Sequence, residues 1–575
     1  MSNPPTIPPP DDHTGGPTSH APPAPPHDQT GVPASHPPSF EHLPPYGGGP
    51  PQDPATGFVA QPSPPRRGRG SKVLAGTAAL ALLLGGGGWA FYAADPLHLF
   101  EAGPQAAEAI PGEALFYLGM DADPSAKQKI EAVSFLNHFP YFQEHSGLSD
   151  EDSDIRAVVI KRALDFAGCS GVSYDDSIKP WLGHKFGFAL MASQSNDAEP
   201  VPLIAIESTD DDRAESGLAD LAECGQQLTG DDFGYAFEGG YVVIAETQAL
   251  ADEHASAAQD SSLADNDDFR ADTDSLGDLG VLTMWADIAG LDAFTDEVTT
   301  GAELPPADLG LLSGTYERAA ATVRFTSGRA ELASSIYGRT TDISHDDNAV
   351  VELPDSTVFA MSEAGGANRI EASWDDIVQA VASEGVDVDA EIAQFEEETG
   401  FALPDDLETL FGDNLMLAID SAGIGDASFD EDAVESLDIG VRFTNDPAAL
   451  ETLYAKFADA IAGPGGADLP VSKIVADDGL ALATNDAYGQ RLADLGGGLE
   501  ETGAFQSVLD DAASKEFVLF LNVDLIEDHI LQGLDDGSAQ GNEDAANLKA
   551  LQAIGVSSET DGDYTVVTVR VSVND

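Results

Sequence analysis

The sequence predicts an α+β protein with two tandem repeated domains of mostly antiparallel sheet and helices, preceded by one transmembrane helix and a disordered proline-rich tail. Three observations predict it. Residues 73–94 contain no charged side chain, 21 of the 36 prolines precede residue 66, and one order of strand and helix patterns occurs twice after residue 109. A chain of 575 residues is also too long for one ordinary hydrophobic core, so several folded units are expected.

Residues 1–72 indicate a disordered cytoplasmic tail that ends in a basic cluster. Proline runs such as residues 8–10 alternate with polar segments, which leaves too few apolar side chains to offset the entropy lost on folding. Local polyproline II structure is the expected conformation of such a segment. The basic cluster that ends the tail consists of Arg66, Arg67, Arg69 and Lys72.

Residues 73–94 are typical of a transmembrane helix. At about 1.5 Å per residue the segment is about 33 Å long, which spans a hydrocarbon core of about 30 Å. The preceding basic cluster should remain in the cytoplasm, so residues 95–575 are expected outside it. Trp89, Phe91 and Tyr92 fit the aromatic belt at the outer interface.

Two other interpretations of residues 73–94 fit the sequence less well. A cleaved signal peptide needs small residues at positions −3 and −1, and cutting after Ala94 places Tyr92 at −3. A buried helix of a globular domain would contain residues 85–88, four consecutive glycines that each cost about 1 kcal/mol relative to alanine. The sequence therefore favours an uncleaved anchor.

A linker, residues 95–108, leads into the first repeat, residues 109–338. Asp123 and Pro124 are a good N-cap and first-turn pair, so a helix is expected from there toward His138, ended by Pro140. Gly239-Gly240 and Ser327-Gly328 indicate hairpin turns. Further helices are expected over 211–224 and 248–258 and near 291. Strands are expected over 114–121, 186–191, 201–207, 233–237, 241–246, 281–286, 322–325 and 331–337.

The same order then recurs in a second repeat, residues 350–575. The match pairs strand with strand and helix with helix at offsets of roughly 229 to 243 residues. It ends in a second hairpin, 556–560 and 564–573, around Asp561-Gly562. We expect the two repeats to fold separately, although neighbouring repeats can pair at exposed strand edges and share one sheet.

Several stretches resemble a known family. They are Ile-Pro-Gly-Glu-Ala-Leu-Phe-Tyr at 110–117, Asp-Pro-Ser-Ala-Lys-Gln-Lys-Ile at 123–130, Lys-Pro-Trp-Leu-Gly at 179–183 and Gly-Tyr-Val-Val-Ile-Ala-Glu-Thr-Gln at 240–248. This pattern is similar to domain of unknown function 3352, a family of membrane-anchored envelope proteins of high-GC Gram-positive bacteria. The resemblance is expected to cover essentially all of residues 105–575. It implies an envelope location and provides no activity to carry over.

Charge is distributed unevenly along the chain. Residues 1–94 hold five acids and four bases, so residues 95–575 carry 96 acids against 21 bases, a net charge of −75. A surface of that sign lacks the basic footprint that nucleic acid requires, so no nucleic-acid partner is expected. One interpretation is that the negative charge attracts cations. The favoured interpretation is that the acidic side chains are hydrated at the surface and keep the protein soluble.

The chain has two cysteines, Cys169 and Cys224, both on the expected outer side. An even pair in an oxidising compartment predicts a disulfide, with two reduced buried thiols as the alternative. Two cysteines are too few for a structural zinc site, which needs four ligands.

The sequence contains no recognisable catalytic motif. The sequence has no Walker-type phosphate loop, no His-Glu-x-x-His motif and no Gly-x-Ser-x-Gly elbow. The acidic clusters 150–154 and 265–268 lack the spacing of an EF-hand loop. Trp181 and Phe411 could line a ligand groove, but core anchors at the start of a strand are the favoured interpretation. We expect no catalytic residue, metal or cofactor.

These observations predict a single-pass membrane-anchored, extracytoplasmic binding or scaffolding protein of the cell envelope, which is not an enzyme. Its partners would be the membrane, through one helix, and another envelope protein or ligand. The alternative is a carrier of lipid or another apolar ligand, in which a curved sheet and helices enclose a groove. An enzyme of unknown class is third, and it would need histidines and carboxylates clustered in a pocket.

Overall fold

A computed structural model describes most of the chain after residue 104. The described residues are 105–121, 126–145, 155–166, 168–169, 171–193, 200–228, 233–292, 316–338, 343–383, 386–422, 424, 437–462, 471–534 and 539–574. All belong to one compact unit, Arg67–Asp575. The predicted tail and transmembrane segment, residues 1–94, lie outside them. No helix among the described residues is both long and apolar enough to cross a membrane.

In the described part of the chain, sixteen antiparallel strands form one sheet. In the first half, residues 105–338, the strands are β1 Ala114–Asp121, β2 Leu182–Met191, β3 Val201–Ser208, β4 Gly234–Glu238, β5 Tyr241–Ala245, β6 Leu282–Asp287, β7 Tyr316–Thr326 and β8 Arg329–Gly338. In the second half, residues 343–574, they are β9 Thr357–Ala364, β10 Asn414–Asp420, β11 Ile439–Thr444, β12 Ser472–Ala476, β13 Gly479–Ala483, β14 Phe517–Asn522, β15 Leu551–Asp561 and β16 Tyr564–Val573.

Helices connect the strands of both halves. Those described in the first half are α1 Ala126–Leu136, α2 Pro140–His145, α3 Ile155–Phe166, α4 Asp211–Leu228, α5 Gln248–Asp260, α6 Asp267–Asp274 and α7 Ile288–Asp292. Those described in the second half are α8 Gly366–Ser383, α9 Val388–Thr399, α10 Asp405–Phe411, α11 Pro447–Ala462, α12 Asp486–Asp494, α13 Gly503–Val508, α14 Glu527–Leu534 and α15 Ala539–Leu548. Helices and antiparallel sheet together confirm the predicted α+β class.

The halves meet where β8 pairs with β16. The register runs from Tyr337 opposite Tyr564 to Arg329 opposite Ser572. Outward from this junction the strand order is β7-β6-β1-β2-β3-β5-β4 on one side and β15-β14-β9-β10-β11-β13-β12 on the other. Each strand of one half therefore has a counterpart at the same place in the other. The boundaries 109–338 and 350–575, and separate folding, stay predictions.

Local sequence placed most described elements within a few residues. The first strand has the expected bounds, 114–121, and Gly239, Gly240, Gly328 and Gly562 adopt positive φ in the expected turns. The expectation of a helix ended by Pro140 was wrong in its end point. α1 ends at Leu136, and Pro140 instead begins α2, because proline lacks the N–H that a first helical residue does not use.

The sheet has two apolar faces that are covered differently. One face, which we call the packed face, carries Tyr117 and Trp285 in the first half and Ala360 and Phe520 in the second. Short helical turns at Ala106–Ala109 and Ala349–Glu352 bury it together with α5, α6, α12 and α13. On the opposite face a fully buried cluster forms in the first half, around residues such as Trp181, Phe186 and Leu218. This opposite face contains the candidate site.

Candidate functional site: an apolar strip across the sheet

Strand pairing aligns one apolar side chain from each of eight consecutive strands on the face opposite the packed face. The pairs continue from β13 through β11, β10, β9, β14, β15 and β16 to β8. We call this row the strip. Its residues are, in order, Leu482, Val441, Leu417, Met361, Leu519, Val556, Val569 and Leu332.

The strip is much less buried than the residues behind it. Met361 is 38% exposed, and the other seven strip residues are half-buried. Their neighbours along the same strands, such as Ala360, Met416 and Phe520, point to the packed face and are at most 1% exposed. Successive side chains of a strand alternate between faces, so the same strands bury one apolar row and leave the other accessible.

The two rows that flank the strip differ in polarity, one being apolar and the other mixed. On one side lies a row with Ile419, Phe359, Leu521, Ile554, Val571 and Ala330. On the other side lies a row with Leu415, Glu363, Phe517, Ser558, Val567 and Ser334. Glu363 is the one ionisable residue in these two rows.

Glu363 is held in a buried ion pair. Arg369 donates from Nε to Oε1 of Glu363 at 2.9 Å and from Nη2 to Oε2 of Glu516 at 2.9 Å. Burial raises the pKa of Glu363; the charge of Arg369 opposes that rise and the charge of Glu516 adds to it. The Arg369 guanidinium thus forms hydrogen bonds with the carboxylates of both Glu363 and Glu516 beside the strip.

Helices of both halves meet beside the junction end of the strip. The Phe135 ring of α1 lies 5.6 Å from the Phe325 ring, and the cluster around them includes Phe142 of α2. Ala330 and Val571, in the row next to the strip, pack against the same cluster. The backbone N–H of Tyr141 in α2 donates to Oδ1 of Asn547 in α15 at 3.1 Å. We call α1, α2 and α15 the helical bridge.

Beyond Leu332 the same row continues across the first half, where its side chains pack against a buried cluster. It continues through Val323, Leu282 and Met120 to Phe186, which is 4% exposed. Nearby, Cys169 and Cys224 are joined by a disulfide with their Cα atoms 5.8 Å apart, and Arg156 donates to the Leu182 carbonyl at 2.9 Å. Val323, Leu282 and Met120 are half-buried, as most strip residues are, and they pack against the buried cluster of the first half.

A second set of interactions fixes the halves together on the packed face. Asp272 is fully buried and accepts from Nε1 of Trp285 at 2.8 Å, Nε of Arg318 at 2.8 Å and the hydroxyl of Tyr564 at 2.9 Å. Tyr564 belongs to the second half and the other three to the first. Burial, with the bond to Asp272, raises the pKa of Tyr564 to about 12, so the phenol remains a donor at neutral pH.

Glu331 makes a parallel link across the junction. It accepts from Nε of Arg324 in its own half and from Nε of Arg570 in the other. Burial alone would raise its pKa, but the hydrogen bond and charge of Arg570, with the charge of Arg324, lower the pKa of Glu331 below its usual value. Asp510 pairs in turn with Arg329 and Arg570. These links stabilise the register of β8 on β16.

Other residues singled out in the sequence lie away from the strip. The acidic cluster 150–154 is outside the described residues. Asp265 accepts from the backbone and hydroxyl of Ser262, and Asn266 caps α6. Trp181 is buried and donates from Nε1 to the Ser177 carbonyl at 2.8 Å. In the part of the chain that the structure describes, His, Cys, Asp and Glu nowhere form a group of three suited to a metal ion.

Comparison with known proteins identifies the family. The family described as protein of unknown function DUF3352 matches residues 73–418. The chain belongs to the DUF3352 family. The resemblance seen in the sequence is thereby confirmed, and the match includes the first half and the second half as far as β10. No curated protein and no solved structure matches this DUF3352 member.

Proposed function

We propose that this protein is a single-pass membrane-anchored, extracytoplasmic binding protein of the cell envelope that holds an apolar ligand on the strip. The observation that carries the proposal is the partial exposure of eight aligned apolar side chains whose neighbours on the packed face are buried. Soluble proteins rarely leave a long contiguous apolar surface accessible unless it binds something.

The chemistry of the strip favours binding by contact. None of its eight side chains can donate or accept a proton, so the strip offers hydrophobic area alone. Removing apolar surface from water contributes about 25 cal/mol per Å². A hydrocarbon ligand that covers the strip would therefore be stabilised chiefly by burial, with selectivity for apolar over charged molecules.

The anchor places the binding face near a membrane. Residues 73–94 are proposed to span it once, with the proline-rich tail 1–72 in the cytoplasm, the linker 95–108 outside and two repeats, 109–338 and 350–575, beyond it. The basic residues before Val73 support this orientation, because basic residues beside a membrane helix favour the cytoplasmic side. Protease added to intact spheroplasts should digest residues 95–575 and spare the tail. Protection of the outer region would contradict the topology.

Native mass spectrometry of purified residues 95–575 tests the binding function. A ligand mass should accompany the protein and disappear after organic extraction. In Met361→Trp the larger side chain should occupy the strip and lower the bound fraction several-fold. The matched control is Val471→Trp, since Val471 is 39% exposed and precedes the edge strand β12. Equal loss in both variants, or no ligand in the parent protein, would contradict the proposal.

A scaffolding role without a ligand is the second candidate. The observation that favours it is the open edge of the sheet at β12, where Val475 is 47% exposed. An edge strand can pair with an extended segment of another protein. Replacing Val475 with proline should then abolish capture of envelope partners and leave ligand binding at the strip unchanged.

A further inference from the structure

We infer that helices α9 and α11 form a docking surface for a cationic amphipathic helix of a partner protein. The surface belongs to helices of the second half, so the inference goes beyond the ligand site proposed at the strip and does not depend on it. Three features of these helices point to such a partner: exposed aromatic rings, an apolar face without buried residues, and charge of one sign.

Three phenylalanine rings form a contiguous row on these helices. The ring centre of Phe401 lies 4.7 Å from that of Phe457 in α11 and 6.4 Å from that of Phe395 in α9. Phe395 is 42% exposed and Phe457 is 37% exposed. We call these three residues the aromatic row. Single exposed apolar residues are ordinary on soluble proteins, whereas contiguous ones with a polar rim mark interaction sites.

The apolar stripe of α11 begins in the core and ends at the aromatic row. Leu450 and Leu453 are 2% and 3% exposed. Phe457 follows Leu453 by four positions and therefore lies on the same side of the helix, one turn further on. The stripe thus leaves the core and reaches the surface at Phe457.

The apolar face of α9 is covered still less. No residue of α9, all of which the structure describes, is buried. Val388, Ile392 and Phe395 have the spacing i, i+4, i+7, so they share one face of the helix. Helices in proteins are stabilised mainly by packing such a face against other elements. The face of α9 therefore has room for a further packing partner.

The first half closes the equivalent place with a covalent bond. There α3 comes before β2 and α4 follows β3, just as α9 comes before β10 and α11 follows β11. Gly168 after α3 and Gly400 after α9 both adopt a left-handed conformation, each with φ of 77°. The next residue is Cys169 in the first half, which is buried and bonded to Cys224 of α4. In the second half it is Phe401, which contacts α11 only through the aromatic row.

The surroundings of the aromatic row carry charge of one sign. Residues 388–411 hold eight acids and no base, and residues 447–462 hold two acids and one base. That base, Lys456, is already paired with Asp406 at 2.6 Å. Glu396–Glu398 lie in the last turn of α9, where the negative end of the helix dipole disfavours them. A cationic partner would be attracted both by these acids and by the helix end.

The excess negative charge is concentrated on α9 and α10. In α11, Glu451 is paired with Lys473 of β12 at 3.2 Å. In α10, burial raises the pKa of Glu408, and the negative charges of Asp405 and Glu371 raise it further. The carboxylates of this region therefore repel one another, and a bound cation would relieve that repulsion.

The shape and chemistry of the surface match a helix that bears lysine or arginine. At about 1.5 Å per residue α9 is about 18 Å long, which is about three turns of a partner helix laid along it. Apolar rows at helical spacing pack against one another, and aromatic faces attract cationic side chains. A second copy of this chain and a surface of anionic lipid are both disfavoured, since each has the same sign of charge as α9.

Binding of a cationic model helix to the full chain in phosphatidylcholine nanodiscs tests the inference. The probe is a leucine–lysine peptide of about 14 residues with leucine at helical spacing. It should bind at least about tenfold more tightly than the same peptide with glutamate in place of lysine, with empty nanodiscs as the reference. Its affinity should fall at least about tenfold from about 0.05 M to about 0.5 M NaCl.

Variants separate the aromatic row from the general negative charge of the protein. Phe395→Ser and Phe457→Ser keep every charge and should each weaken binding at least about fivefold. Ile530→Ser is the matched control, because Ile530 is 39% exposed on α14, whose first turn is also acidic. Its affinity should equal that of the parent protein.

A charge variant keeps the inference testable if a serine variant fails to fold. Glu391 and Glu398 lie four positions before and three positions after Phe395, on the same face of α9. Glu391→Gln combined with Glu398→Gln keeps the rings in place. It should lower the affinity and reduce its dependence on salt.

Crosslinking locates the bound peptide. A benzophenone at one leucine position should attach within residues 388–411 or 447–462. Attachment scattered over other acidic surfaces, or equal losses in Phe395→Ser and Ile530→Ser, would show unspecific attraction of a polycation and overturn the inference. Failure of the leucine–lysine peptide to bind would overturn it too.

Two further measurements separate the partner helix from a lipid. Adsorption of the protein to phosphatidylglycerol vesicles that depends on Phe395, without binding of the peptide, would assign the surface to a lipid and overturn the inference. Met361→Trp, which alters the strip, should leave peptide binding unchanged. Loss of ligand binding at the strip and loss of peptide binding at the aromatic row are therefore distinguishable.

Discussion

At the scale of single residues, buried charges connect the two halves where the sheet is continuous. Asp272 receives hydrogen bonds from Trp285, Arg318 and Tyr564, and the Arg318 guanidinium lies 4.0 Å from the centre of the Tyr337 ring. Arg318 is buried enough that its charge needs a partner, with 14% of its side chain exposed. The carboxylate therefore satisfies donors from both halves at one point.

Removing Asp272 should be much more costly than removing one of its donors. Asp272→Ala removes the nearest carboxylate of a buried guanidinium, which keeps only the longer ion pairs with Asp268 at 3.5 Å and Glu317 at 3.9 Å. Breaking a buried pair of this kind costs about 3–5 kcal/mol of unfolding free energy. Tyr564→Phe removes one hydrogen bond and should cost about 1 kcal/mol. Urea unfolding of both variants provides the comparison. Equal losses would show that Asp272 is not the centre of this network.

The disulfide should contribute to stability through chain entropy. Cys169 and Cys224 close a loop across 55 positions, which by the loop-entropy model is worth about 4 kcal/mol. Cys169→Ser with Cys224→Ser should lower the unfolding free energy by about that amount. The state of the native pair is measured after thiol blocking without reductant. Two blocked thiols in that protein would contradict the bond.

At the scale of elements, close packing of helices on the first half depends on glycine. Gly217 lies inside α4, where a Cβ would meet the Ser177 carbonyl oxygen at 2.0 Å and Nε1 of Trp181 at 2.5 Å. Ser177 belongs to the π-helical turn Tyr174–Ile178 that precedes β2. Trp181 donates to the same carbonyl, so α4 approaches the backbone as closely as the missing side chain allows.

Gly217→Ala should therefore force α4 away from the turn. Overpacking of this kind costs about 1–3 kcal/mol, despite the higher helix propensity of alanine. Gly503→Ala is a matched control, because Gly503 begins α13 and a Cβ there meets no atom within 4 Å. The control should melt at the parent temperature or slightly above it. A stable Gly217→Ala variant would mean that α4 can shift freely.

The same scale shows how much of the fold could be predicted. Turn glycines and alternating apolar patterns are local signals, so strands and hairpins were placed within a few residues. Pro140 was misassigned because proline both ends a helix and begins one, and the local sequence does not distinguish these roles. Pairing of β8 with β16 joins residues that are 227 to 243 positions apart in the chain, which no local pattern specifies.

The strip could not be predicted for a related reason. Along β9, Val358 and Ala360 face one side of the sheet and Phe359 and Met361 the other, and all four are apolar. A strand that is apolar on both faces predicts burial on both. Only the tertiary arrangement shows that helices bury the first pair and leave Met361 exposed. The sequence did predict an apolar-ligand carrier as an alternative, without the residues that would form it.

At the scale of the whole molecule, charge should make stability depend on salt. Residues 95–575 carry a net charge of −75, so their acids repel one another in the folded state. The Debye length falls from about 30 Å at 0.01 M to about 3 Å at 1 M, which screens this repulsion. The melting temperature should rise between those NaCl concentrations. A flat or falling curve would indicate that the acids are already paired or bound to cations.

A second prediction for the whole molecule is that the second half folds without the first. The buried cluster on the packed face of the second half draws all its residues from 350–553, so residues 350–575 contain a complete core. The first half is different, since its cluster around Phe325 includes Val573 of β16. We therefore expect residues 350–575, expressed alone, to melt cooperatively, as separately folding repeats require.

Residues 350–575 expressed without the first half should nevertheless be destabilised at the junction. Without β8, strand β16 becomes an open edge, and Arg570 and Tyr564 lose Glu331 and Asp272. An unpaired edge of ten residues invites pairing with a second copy. The fragment should melt below the full chain and dimerise through β16, as measured by sedimentation. Thr568→Pro should prevent that dimer, because proline removes a ladder donor. A soluble fragment without a cooperative melt would show instead that the two halves form one fused folding unit.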